Sequence, residues 1–244
     1  MIGASPLQSL PPPAVEITGL RFRWRADQPW VLDLAAFTLA AGERLFLAGP
    51  SGSGKSTLLA LIAGVSLPNQ GRVAVLGQAV NALSSAARDR FRADHLGVIF
   101  QMFNLLPYLS VRDNVTLPCR FSARRRSRAV AAAGSVAAEA QRLLAHLGMN
   151  EPALIHRSAA ELSVGQQQRV AAARALIGGP DLILADEPTS ALDTDRRHDF
   201  IELLLQECAG TGTALLLVSH DRTLIGHFDR TAELPALNAA PPGA

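Results

Sequence analysis

The chain is short of several things, and each shortage excludes a class of protein. It holds two cysteines in 244 residues, Cys119 and Cys208. They lie far apart and match no metal-ligand spacing, so two reduced, partly buried thiols of a cytosolic protein are expected. Long apolar runs are missing too. Hydrophobic residues make up 48% of the chain, yet their runs are strand-length, as at Ala214 to Val218. None approaches the roughly 20 residues that span a bilayer, so any work at a membrane is expected from outside the lipid. Charge of one sign is scarce: 23 Lys and Arg against 21 Asp and Glu leave +2. That balance excludes the strongly basic surface of a general nucleic-acid binder, and no nucleic-acid partner is expected. No internal repeat is visible, so each motif below occurs once.

The ends carry no folding signal. Met1 to Ala14 includes Pro11, Pro12 and Pro13 and no basic residue, which lacks the layout of a signal peptide and reads as a disordered leader over residues 1–14. Residues 239–244 read as a disordered tail, leaving one domain over 15–238.

Between the ends, strand-like runs alternate with helix-like ones. Val31 to Leu34 and Arg44 to Ala48 read as strands, with turn residues at Ala41 and Gly42. Lys55 to Ala63 reads as a helix that stops at Gly64. From about Ser84 to Ala160 the chain is rich in Ala, Arg and Leu and is expected to be a helical insert, its subdomain spanning about 102–165. A helix over Gln166 to Ile177, the strand Leu182 to Ala185, a helix carrying Phe200, Ile201, Leu204 and Leu205, and the strand Ala214 to Ser219 follow. Strands apolar on both faces, separated by helices, predict an α/β fold with a covered, mostly parallel sheet.

Gly49-Pro50-Ser51-Gly52-Ser53-Gly54-Lys55-Ser56 has the spacing of a phosphate-binding loop, after a strand and before a helix. Glycines let the backbone curl so that successive N–H groups face phosphate oxygens, and the helix adds its positive end. Lys55 is the candidate for the β- and γ-phosphates, Ser56 for Mg²⁺, and Thr57 for the α-phosphate. Asp186 and Glu187 close the apolar run Leu182 to Ala185. Two carboxylates at the carboxyl end of a buried strand suit Mg²⁺ (Asp186) and the attacking water (Glu187).

These two motifs specify nucleotide binding; a third narrows the family. Leu162-Ser163-Val164-Gly165-Gln166, followed by Gln167-Gln168-Arg169, resembles the signature of ABC (ATP-binding cassette) transporter ATPases. Val98 to Gln101, Ser190 to Asp193 and Val218 to Asp221 resemble that family's Q-, D- and H-loops, in the family's order. The resemblance covers roughly Val15 to Ala232. It implies a P-loop NTPase core, an N-terminal antiparallel β part and an inserted α-helical subdomain. It implies ATP as ligand with Mg²⁺, a second copy of the chain as partner in an ATP-sandwich dimer, and an integral membrane permease that holds the chain peripherally at the cytoplasmic face of the inner (plasma) membrane.

Residue by residue, the resemblance assigns Gln101 to Mg²⁺ and the attacking water, and His220 to the γ-phosphate and the support of Glu187. Ser163, Gly165 and Gln166 fall to the ATP of the opposite subunit, and Asp193 to the dimer seam. Trp24 is the candidate for stacking on adenine, with Trp30 as the alternative. Val164 departs from the signature's glycine pair, and the end at Glu233 to Ala236 lacks the family's usual hairpin. Leu83 to Ala87 and Phe100 to Pro107 look like the lipoprotein-releasing, macrolide-exporter and glycolipid-exporter group, which implies export or force transmission. An importer ATPase and a soluble non-transport ATPase are the alternatives.

Apolar residues after Gln101 (Met102, Phe103, Leu105, Leu106, Tyr108 and Leu109) form a candidate permease-facing patch. The arginines at 120, 124, 125, 126 and 128 read as a solvated loop. His95, His146, His156, His198 and His227 have no metal-like spacing.

Overall fold

The computed structural model describes residues 11–190 and 194–240. Its described strands, in chain order, are β1 (Val15–Phe22), β2 (Leu32–Leu39), β3 (Arg44–Ala48), β4 (Gln70–Val75), β5 (Gln78–Ala79), β6 (Leu96–Ile99), β7 (Leu182–Asp186), β8 (Ala214–Ser219) and β9 (Arg230–Glu233). They form an antiparallel sheet, β2-β1-β4-β5, and a five-stranded sheet, β6-β7-β8-β3-β9, whose neighbours all pair in parallel.

Strand alternation explains the two cores on either side of the parallel sheet. On one side Phe46, Ile183, Ala185, Leu215 and Leu217 pack together. On the other, Leu45, Leu47, Leu182, Leu184 and Leu216 meet β1, β2 and β4. Burying each large side chain contributes about 2 kcal/mol relative to exposure, so these central strands are held from both faces. Their carboxyl ends lie side by side, and the site is built there.

The helices are α1 (Lys55–Ile62), α2 (Ser85–His95), α3 (Val111–Thr116), α4 (Pro118–Phe121), α5 (Ala123–Ala133), α6 (Val136–His146), α7 (Val164–Leu176), α8 (Thr194–Thr211) and α9 (Leu234–Leu237). Serine sets several starts. The hydroxyls of Ser110, Ser122 and Ser135 each accept from a backbone N–H three residues on, at 3.0 Å, each cap contributing about 1 kcal/mol.

The structure adds to or departs from the expectations at three places. The stretch from Ser84 is not all helix: β6 lies within it and joins the parallel sheet beside β7. The chain end, for which no strand was placed, supplies the edge strand β9 beside β3, and Asn238 then ties the end to β2 by accepting from Asp33 N–H at 2.7 Å. Ala14, counted in the expected leader, is fully buried and its carbonyl accepts from Leu76 N–H.

The arginine cluster is not a solvated loop. It lies on α4 and α5, with each guanidinium donating to protein oxygens. Arg120 donates to Asp113, Arg126 to the Cys119 carbonyl, and Arg124 and Arg128 both to Asp181. Asp181 also lies 2.7 Å from His95 Nδ1. Burial pushes its carboxyl up, but the His95 hydrogen bond and the charges of Arg128 and Arg124 outweigh burial and hold it at about 2. A depressed carboxylate stabilises the fold above its unfolded value of 3.8 and loses that contribution as pH falls towards 2. Asp181→Asn is therefore expected to cost about 1–2 kcal/mol at neutral pH in urea unfolding. The gap to the unaltered chain should narrow between pH 4 and 2; a gap that stays constant with pH contradicts this.

Candidate functional site

The phosphate loop follows β3 and leads into α1. Gly52 and Gly54 have φ of 78° and 97°, a region that side chains with a Cβ avoid. At Gly54 an added Cβ would also lie 2.9 Å from Leu32 Cδ2. The loop folds back on its lysine: Lys55 Nζ donates to the carbonyls of Gly49 at 2.7 Å and Pro50 at 2.9 Å. The Ser53 hydroxyl is buried in the loop without a hydrogen-bond partner among the described residues. A buried polar atom left unpaired is costly, and a phosphate oxygen would satisfy it.

At the end of β7, Glu187 has φ of 45°, a conformation that costs a non-glycine residue about 1–3 kcal/mol. Its carboxylate is fixed on both oxygens: Ser219 Oγ donates to Oε2 at 2.9 Å, and His220 Nδ1 lies 2.9 Å from Oε1. Lys55 Nζ lies 3.9 Å from that Oε1. With Nδ1 so engaged, His220 keeps Nε2 for a ligand, and its side chain is 64% exposed.

Asp186 suits a hard cation. Burial pushes its carboxyl up, a hydrogen bond from Ser56 opposes that, Glu187 beside it adds to the rise, and Lys55 lowers it. A carboxylate and a hydroxyl held together, with too little positive charge nearby, is the oxygen donor set that Mg²⁺ uses.

One cleft of about 450 Å³ unites these groups. Ser51, Gly52, Gly54, Lys55, Ser56 and Thr57 line it, together with Gln101, Asp186, Glu187 and His220. Of the two indoles, Trp24 lines the cleft, packs edge-on against Phe22 with ring centres 4.9 Å apart and is 60% exposed. Trp30 instead lies under Arg23, whose guanidinium carbon is 4.4 Å from its ring centre.

Ser163, Gly165 and Gln166 line a different cleft, of about 660 Å³, with Val164 and Asn150. Ser163 caps α7: its hydroxyl accepts from Gln166 N–H while Gln166 Oε1 accepts from Ser163 N–H. The Gln166 side chain is thereby committed to the cap. Val164 sits in the first turn of α7, half exposed, where a helical backbone accepts any side chain. Asp193 lies outside the described residues.

Two residues escaped the sequence reading. Ser219 lies in the quoted Val218 to Asp221 motif, but nothing local points its hydroxyl at Glu187, 32 positions away. Arg174 reaches 70 positions back to the turn after Gln101.

A parallel sheet carrying a phosphate loop on one strand and paired carboxylates at the end of another defines a P-loop NTPase. A sequence model described as "ABC transporter" matches residues 32–190, and the chain belongs to that family and is an ATPase of it. It is 42% identical over 224 residues to the lipoprotein-releasing system ATP-binding protein LolD of Anaeromyxobacter dehalogenans, covering 91% of this chain and 90% of that one. It is 36% identical over 224 residues to the macrolide export ATP-binding/permease protein MacB 2 of Aeromonas hydrophila, covering 91% of this chain and 33% of that longer one. Among solved structures, the dimer of MJ0796, a bacterial ABC transporter cassette, matches with a TM-score of 0.76 and 31% identity over 90% of this chain and 93% of the other. A post-hydrolysis state of the same cassette, bound to ADP and Pi, matches with a TM-score of 0.75.

Proposed function

We propose that this chain is the ATP-hydrolysing subunit of an export or force-transmitting ABC system, pairing around two ATP to drive a separate membrane permease from the cytoplasmic face. One observation carries the reading. The phosphate loop and the Ser163 helix cap line separate clefts, and the first turn of a helix, whose N–H groups have no partner within the helix, is an anion site. A second copy would bring its cap onto the first copy's nucleotide. The solved relative is a dimer, and relatives named for lipoprotein release and macrolide export support an export-type reading.

In this reading the loop N–H groups, Lys55 and the Ser53 hydroxyl hold the phosphates, and Trp24 stacks on the base. Ser56, Asp186 and Gln101 would hold Mg²⁺, which supplies positive charge to the phosphate oxygens. Glu187, set by Ser219 and His220, takes the proton of the attacking water. His220 Nε2 donates to the γ-phosphate, and the partner's cap meets it from the far side.

Among the described residues no helix is long and apolar enough to cross a membrane, so the permease contact is a surface. A groove of about 400 Å³ lined by Phe100, Phe121, Leu117 and Gly97 fits an apolar permease helix. Phe121 is 73% and Met102 80% exposed. The expected patch is corrected here: Phe103 is buried and belongs to the core. Phe121→Ser, in the groove lining, should spare ATPase activity of the free subunit and abolish co-purification with its membrane permease. Normal yield of the complex would rule the groove out.

A further inference from the structure

The turn after Gln101 is held in a conformation its residues resist. Phe103 and Asn104 have φ of 59° and 50°, two successive non-glycine residues in the left-handed region. Local bonds close the turn, with Phe103 N–H donating to the Phe100 carbonyl at 2.9 Å and Asn104 N–H to Met102 at 2.6 Å. Its two outward carbonyls are both taken by one side chain. Arg174 donates through one terminal nitrogen to the Asn104 carbonyl and through the other to the Phe103 carbonyl, each at 2.6 Å. A planar fork matched to two carbonyls fixes orientation as well as distance.

Arg174 stands in the last turns of α7, whose first residue follows Ser163. That end of α7 is itself clamped. The buried Arg125 guanidinium donates to the carbonyls of Ala175 at 2.6 Å and Ile177 at 2.7 Å. Gly97 of β6 lies so close that an added Cβ would sit 2.4 Å from the Ala175 carbonyl oxygen. A helix of 13 residues thus carries the Ser163 cap at one end and the brace of the Gln101 turn at the other.

We infer that Arg174 is a positioning residue that joins the Ser163 end of α7 rigidly to Gln101, so that docking of the cap on a partner's nucleotide moves Gln101 in the chain's own cleft. The inference rests on the sandwich reading proposed above. Arg174 lines neither the phosphate-loop cleft nor the Ser163 cleft. Its loss therefore affects the chemical step and the communication between sites more than ATP binding.

The test compares the unaltered chain with Arg174→Met, which keeps the apolar stem, and Arg174→Lys, which keeps a donor. Arg174→Met should lower kcat about 10–100-fold through misplacement of Gln101 while KM for ATP stays within about twofold. The Hill coefficient for ATP should fall towards one. Arg174→Lys should recover part of kcat, and adding Asn104→Gly to Arg174→Met should recover part as well, because glycine adopts the turn without a brace. Unchanged kcat and Hill coefficient overturn the inference. So does a loss of kcat that follows the melting temperature and that neither the Arg174→Lys replacement nor the added Asn104→Gly change restores. ATP-driven dimerisation of Glu187→Gln, measured alongside, separates the two claims: if it dimerises while Arg174→Met behaves as the unaltered chain, the Arg174 inference alone fails.

Discussion

Glu187→Gln should bind ATP as the unaltered chain does and turn it over about 10²–10⁴-fold more slowly, the usual loss when a general base is removed. The size of the effect follows from how completely the surroundings commit to this carboxylate. Its backbone sits in the left-handed region, strain that the strand end sustains. Ser219 and His220 occupy one oxygen each, and Lys55 approaches without displacing either. The amide keeps the shape, and its oxygen can still accept from Ser219, so the pocket stays formed while the proton acceptor is gone. Phosphate release at saturating ATP measures the rate, and nucleotide binding at equilibrium checks the affinity. Turnover within about threefold of the unaltered chain would remove Glu187 from the chemical step.

Much of this site was legible because its residue types are forced by local chemistry. Gly52 and Gly54 adopt backbone angles open mainly to glycine, and Lys55 and Ser56 follow at the start of a helix. The central strands were equally legible: only a sheet covered on both faces gives runs such as Leu182 to Ala185 a place to bury every side chain.

What was not legible depends on distant partners. β6 is four residues long and lies in an Ala- and Arg-rich stretch, too short to show a period. Phe103 and Tyr108 looked alike in an apolar run without periodicity; the turn at 103–104 sends Phe103 inward and leaves Tyr108 77% exposed. The arginines of α5 read as a surface cluster because Asp181 and the α7 carbonyls, about 50 positions on, are invisible from their own neighbourhood. The Ser219 and Arg174 bonds escaped for the same reason. The helix expected from Gln166 starts two residues earlier, at Val164, and both the Ser163 cap and its placement in a cleft apart from the phosphate loop required the fold.

That isolation makes dimerisation the second large expected effect, and the most direct test of the account. The cap lines a cleft separate from its own chain's phosphate loop, so in the proposed reading it meets the nucleotide of another copy. With turnover blocked by Glu187→Gln, both faces of the sandwich should stay filled. Ser163→Asp is the matched control: aspartate caps a helix as well as serine does, so α7 keeps its start, while its charge repels the phosphate it would meet. Light scattering of Glu187→Gln with Mg²⁺ and ATP should show the molecular mass doubling, ADP should leave it at the monomer value, and the added Ser163→Asp change should keep it there while ATP remains bound. A chain that stays monomeric with ATP bound, or one that dimerises equally well with Ser163→Asp, would contradict the shared site.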